Sequence, residues 1–105
     1  MWKDAGPRWS VKDVRVDKVD NGSARVTVTA DLPAVSAAYT MQYTIYATGD
    51  VVVWCYYRPG SEALAMMPRF GTELLVSPGL ENIAWYGRGP NETMIDRQFE
   101  RIGEY

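Results

Sequence analysis

The sequence predicts an all-β fold, an antiparallel β-sandwich, and three observations carry that prediction. Apolar residues recur with a period of two rather than 3.6, as they do in strands with one buried and one wet face. Glycine-bearing turn signals separate the alternating runs. No segment shows a convincing helical pattern, and no internal repeat is present.

The first run is Val11 to Val19, where Val14 and Val16 alternate with Arg15 and Asp17. The second is Ala24 to Asp31, where Val26, Val28 and Ala30 alternate with Arg25, Thr27 and Thr29. Asp20-Asn21-Gly22 lies between them, and face matching selects its geometry. A two-residue Asn21-Gly22 loop would oppose Val16 with Thr27. A three-residue loop opposes Val16 with Val26 and Val14 with Val28, and sets Asp17 across from Arg25 as an opposite-charge pair. The three-residue loop is therefore expected.

A second hairpin is expected from Ala37 to Ala47 and Val51 to Tyr57, around Thr48-Gly49-Asp50. With a two-residue Gly49-Asp50 loop, glycine first, Ile45 opposes Trp54 and Tyr43 opposes Tyr56. One face then carries Met41, Tyr43, Ile45, Ala47, Val52, Trp54 and Tyr56. The other carries Thr40, Gln42, Thr44, Tyr46, Val53, Cys55 and Tyr57. Such strands are longer than the usual about five or six residues, which favours a large sandwich over a small barrel.

Beyond Tyr57, Arg58-Pro59-Gly60-Ser61 reads as a turn and Ala63 to Met67 as a short apolar stretch ending at Pro68. Phe70 to Val76 and Ile83 to Tyr86 are further strand candidates. Gly87-Arg88-Gly89-Pro90 breaks the chain, Asn91 to Arg97 is loop-like, and Gln98 to Tyr105 is the last candidate strand.

Composition narrows the chemistry. The 105 residues suit one domain or a piece of one. They are 47% hydrophobic and 23% charged, which is globular rather than disordered. There is no histidine, which removes Ser-His-Asp and Cys-His catalysis and imidazole metal sites. The single cysteine, Cys55, rules out an internal disulfide or a CxxC motif, and reads as a half-buried packing group. A net charge of −2 argues against a nucleic-acid or anionic-membrane partner. No run of roughly 18 apolar residues is present to span a membrane. Met1 to Pro7 lacks the layout of a signal peptide.

Two stretches are more specific. The first is Met67-Pro68-Arg69-Phe70-Gly71 followed by Glu73-Leu74-Leu75. The second is Trp85-Tyr86-Gly87-Arg88-Gly89-Pro90-Asn91-Glu92, then Asp96-Arg97 and Gly103-Glu104-Tyr105. In order and spacing they resemble the C-terminal small-chain domain of glycoside hydrolase family two β-galactosidases, over about Tyr39 to Tyr105. One departure stands out: where the family has a tyrosine between the Glu and the Asp-Arg, this chain has Met94, so the hydroxyl is lost and the bulk kept.

The resemblance implies part of a galactose-mutarotase-like supersandwich, with residues 1–105 as the N-terminal portion of a small-chain domain truncated at its C-terminus. It implies a non-catalytic segment that supports the catalytic barrel and substrate cleft of a parent hydrolysing terminal β-D-galactosides. The catalytic glutamates would lie in an absent (β/α)8 barrel, so this chain alone is expected to be inactive. No cofactor is expected in this chain, and any divalent metal the parent needs would be bound elsewhere. The parent would be cytoplasmic or periplasmic. The expected partners are the parent's other domains, the galactoside through the parent, and a second copy. Half of a large sandwich leaves an apolar face and strand edges for other chains to satisfy.

The candidate site residues carry competing readings. Trp85 and Tyr86, with Arg88 and Glu92, are the candidate sugar contacts of an autonomous carbohydrate-binding module. Against that, alternation sends one ring inward and leaves the other at an edge. Arg69, Arg88, Glu92, Asp96 and Arg97 are read as a structural ion-pair network, as an interdomain contact, or as sugar ligands. Glu92 and Asp96 are not read as a glycosidase pair. A free-standing sugar epimerase of the shared fold fails for want of histidine.

Overall fold

The computed structural model describes residues 2–20, 22–60 and 63–105, with only the main chain of Lys18. Its elements run α1 (Trp2–Ala5), β1 (Ser10–Asp20), β2 (Ser23–Leu32), a 3-10 turn (Pro33–Val35), β3 (Ala37–Tyr46), β4 (Val51–Arg58), β5 (Tyr86–Gly89) and β6 (Arg101–Glu104). β1 to β4 form one sheet in chain order, and β5 pairs with β6 in a second. Every ladder is antiparallel. The all-β class expected from the sequence is the class adopted, with its strands in two antiparallel sheets. The chain divides into two compact units, Met1–Phe70 and Gly71–Tyr105.

In the first unit, the β1–β2 register is the one face matching selected, with Val16 opposite Val26, Val14 opposite Val28 and Asp17 opposite Arg25. The expected three-residue loop is corrected, however: Asp20 pairs with Ser23 as the last residue of β1, and a bulge between Lys18 and Asp20 absorbs the extra residue instead. Asn21 of the expected loop lies outside the described residues. The Asp20 carboxylate accepts from the Gly22 N–H at 2.7 Å and the Ser23 hydroxyl at 3.0 Å, which ties the reversal together. Those bonds, the Gly22 one first, hold the Asp20 carboxyl below its ordinary range. Asp17 forms its ion pair with Arg15 at 3.1 Å, its neighbour two residues back on the same face, rather than with Arg25.

The β3–β4 register corrects the sequence expectation. Tyr43 opposes Val53 and Gln42 opposes Trp54, in place of Tyr43 with Tyr56 and Ile45 with Trp54. The Tyr46 N–H donates to the Asp50 carbonyl (2.9 Å) and the Gly49 N–H to the Tyr46 carbonyl (3.0 Å), so Ala47, Thr48 and Gly49 form the loop. Gly49 has φ +94, and glycine is needed at the left-handed third position of such a loop, not at the first. The shift regroups the faces. Tyr39, Met41, Tyr43 and Ile45 share a face with Val51, Val53, Cys55 and Tyr57, while Trp54 and Tyr56 join the threonines and Gln42.

The apolar face continues across β2 and β1 through Ala24, Val26, Val28, Ala30, Val14 and Val16. Among the described residues of the first unit, its cover lies at one end. There Val35 is fully buried, with Ala5 and Ala37, and Trp2, Leu32, Tyr57 and Leu64 pack around them. The Trp2 indole N–H donates to the Ala65 carbonyl (2.9 Å). Phe70 sets its ring against Tyr39 and Tyr57, with centroids 5.9 and 6.2 Å away. The short helix α1, absent from the sequence expectation, forms at this closed end. Its four residues are too few for a helical period to register.

Three other expectations change. Phe70 to Val76 is not a strand, and the one expected over Ile83 to Tyr86 starts only at Tyr86 and runs through Gly87 and Gly89. The final strand is confined to Arg101–Glu104. Arg58 ends β4, and Ser61 of the expected turn lies outside the described residues. Among the described residues, no helix is long and apolar enough to cross a membrane.

Candidate functional site

The motif Trp85 to Glu92 builds the second unit's hairpin. Tyr86 pairs with Glu104, Gly87 with Gly103, Arg88 with Ile102 and Gly89 with Arg101. Trp85 and Tyr105 extend the ladder, each N–H donating to the other's carbonyl at 3.0 Å. Alternation then places Trp85 and Tyr105 on the face of the three glycines. Their rings stack with centroids 5.4 Å apart and planes 28° apart. A Cβ at Gly89 would lie 2.8 and 2.9 Å from Tyr105 ring carbons and 3.1 Å from the Trp85 indole. The residue read as a chain breaker is thus the floor on which two rings lie, and only glycine fits there.

Trp85 and Tyr86 consequently face opposite ways and do not form a single platform. Trp85 is held by Tyr105, while Tyr86 is 77% exposed. Arg88 shares the Tyr86 face, and its guanidinium donates to the main-chain carbonyls of Glu100 (3.0 Å) and Gln98 (3.5 Å). It therefore ties the strand to the segment before β6. The Asn91 amide donates to the Glu100 carboxylate at 2.9 Å, adding a second tie. Met94 and Arg97 exchange backbone bonds of 3.2 and 3.0 Å, closing a tight reversal over Ile95 and Asp96. Glu92, Asp96 and Arg97 are exposed. Within this unit the described residues bring Arg88 to carbonyls rather than to the carboxylates of Glu92 or Asp96. Arg69 belongs to the first unit, exposed beside the Phe70 anchor.

Two features escaped sequence reasoning. Tyr105 closes the second motif stretch and the last candidate strand but is not among the candidate site residues, although its parity with Trp85 follows once the hairpin is drawn. Trp54 and Tyr56 form the other feature, with rings 5.6 Å apart and 7° from parallel, each about half exposed on the polar face. The signal was their spacing of two, which the wrong register had turned toward the apolar side.

Cys55 lies on the apolar face beside Tyr39. Burial first, and then the hydrogen bond with the Cys55 thiol, pushes the Tyr39 phenol above its ordinary range. Among the described residues, no group of three acidic or cysteine side chains gathers as a metal site would need. What the geometry offers is aromatic surface and hydrogen-bonding groups.

Comparison with known proteins agrees with the motifs. The chain is 32% identical over 97 residues to a β-galactosidase of Lactobacillus delbrueckii subsp. bulgaricus, covering 91% of this chain and 9% of that protein. It is 31% identical over 98 residues to a β-galactosidase of Priestia megaterium, covering 92% and 9%. With a β-galactosidase of Kluyveromyces lactis it shares 31% over 102 residues, covering 91% and 10%. The chain thus spans about a tenth of the length of these relatives. No solved structure matches it significantly. The family described as "Beta galactosidase small chain" matches residues 1–105, and this chain belongs to that family.

Proposed function

We propose that this chain is a non-catalytic β-sandwich segment of a β-galactosidase, supporting the catalytic barrel and helping to wall the substrate cleft. The parent would hydrolyse terminal β-D-galactosides with glutamates carried by a barrel outside these residues. The observation that carries this reading is the family match across the full chain, set beside a span of only about a tenth of the relatives. The four-stranded meander is then one part of a larger supersandwich, and the chain's partners are the parent's other domains. In that setting Arg69, Glu92, Asp96 and Arg97 secure the motif loops by ion pairs with those domains, while Arg88 ties β5 to the segment before β6. The exposure of Glu92, Asp96 and Arg97 leaves them free to do so.

The test is a chromogenic β-galactoside assay on the purified chain. No turnover above buffer is expected, and turnover that persists in preparations free of host β-galactosidase would overturn the assignment. A second reading, an autonomous carbohydrate-binding module, is favoured by one observation: Tyr86 is 77% exposed on a face shared with Arg88. An aromatic face stacks on pyranose C–H groups, and a guanidinium bonds hydroxyls. Calorimetry with galactose and lactose separates the readings. Saturable heat lost in Tyr86→Ala supports the module, and the absence of heat removes it.

A further inference from the structure

The sheet of β1 to β4 ends in two unlike edges. β1 carries Lys12, Asp13, Arg15, Asp17 and Asp20, and its ladder is interrupted by two register shifts. Charges and bulges are the devices that keep an edge from pairing. β4 reads Val-Val-Val-Trp-Cys-Tyr-Tyr-Arg, with no charge before its last residue and an unbroken register.

The hydrogen-bonding phase shows which backbone groups β4 leaves open. The Tyr46 N–H donates to the Asp50 carbonyl, so the even-numbered residues of β4 turn their backbone groups toward β3. The Ala47 N–H donates to the Gly22 carbonyl, which turns the odd-numbered residues of β3 toward β2 and agrees with that phase. Val51, Val53, Cys55 and Tyr57 therefore present their N–H and C=O groups along the outer edge. Among the described residues, no loop or side-chain bond reaches them.

We propose that β4 is a strand-accepting edge and that its occupant is β4 of a second copy, paired antiparallel about a twofold axis through Trp54. Only even sums of residue numbers bring outward groups face to face. The sum that pairs Val51 with Tyr57 and Val53 with Cys55 of the other copy uses all four outward residues. On the polar face the same register sets Trp54 beside its own copy and Val52 beside Tyr56. It thereby joins two half-exposed aromatic pairs into one cluster.

Exposure supports an occupant: on this uncharged strand Val51, Val52, Val53, Trp54 and Tyr56 are each about half exposed, and a long apolar edge strand is a template for a further strand. The inference is independent of the galactosidase assignment, since it rests on the β4 edge alone.

Sedimentation equilibrium of the full chain is expected to give twice the 11.8 kDa mass at micromolar concentration. Val53→Pro removes an outward N–H without touching the β3 ladder, a substitution edge strands tolerate. It should return the mass to that of one chain while far-ultraviolet circular dichroism is retained. In a Cys55→Ser background, Trp54→Cys should oxidise to a disulfide-linked dimer and Val52→Cys should not, because only position 54 meets itself. A monomeric wild type would overturn the proposal. So would a dimer that survives Val53→Pro but is lost in Val16→Asp, which would place the contact on the apolar face. Equal cross-linking at positions 52 and 54 would overturn the register.

Discussion

Two valines separate the closed end of the meander from its open body. Val35 sits in the turn between β2 and β3 and is fully buried among Ala5, Ala37, Trp2, Leu32, Tyr57 and Leu64. Val16 sits mid-strand on the apolar face and is 67% exposed. Strand alternation alone would have ranked them the other way, because Val16 follows the period and Val35 belongs to no strand. Alternation says which face is apolar; it does not say where another element will lie on that face.

Substitutions can break or sharpen this contrast, beginning with the largest effect. Val35→Ala deletes two methyl groups at a site with no solvent to fill the gap, and should cost about 2 kcal/mol in chemical denaturation. A loss below a few tenths would mean that the closed end is not the anchor. Gly49→Ala forces a Cβ into the left-handed loop position at φ +94 and should cost about 1 kcal/mol. A larger loss would show that the β3–β4 register itself slips. Val16→Ala should cost less than about 0.5 kcal/mol, since little surface around it is removed from water.

The smallest effect concerns the β1–β2 reversal. The folded Asp20 carboxyl titrates below its ordinary value of 3.8, so the stability it contributes is complete above that value. It is lost as pH falls through the lower folded-state value. Carboxyl-detected NMR should show this depression, and Ser23→Ala should move the midpoint back toward 3.8.

The same contrast explains what the sequence made legible. The β1–β2 register could be read because valine met valine in only one of the two pairings weighed, the other opposing Val16 with Thr27, whereas the bulge between Lys18 and Asp20 that delivers it left no local signal. The β3–β4 register could not, because Val51, Val52, Val53, Trp54, Tyr56 and Tyr57 place apolar groups on both faces of β4. Only the position of Gly49 within its loop distinguished the choices. In the motif region, Gly87 and Gly89 have poor strand character by themselves. Their place in β5 depends on Gly103 across the ladder and on the Trp85 and Tyr105 rings above them, a tertiary relation invisible to local pattern. That Trp85 and Tyr86 part company was legible in the sequence, because neighbours on a strand point to opposite sides.

The alternating bond phase along β4 has a consequence for deuterium exchange. In any chain whose edge is unoccupied, the amides of Val53, Cys55 and Tyr57 should exchange quickly while those of Val52, Trp54 and Tyr56 stay protected, residue by residue along one strand. Occupation of the edge by any strand would erase that alternation and leave a uniform slow stretch.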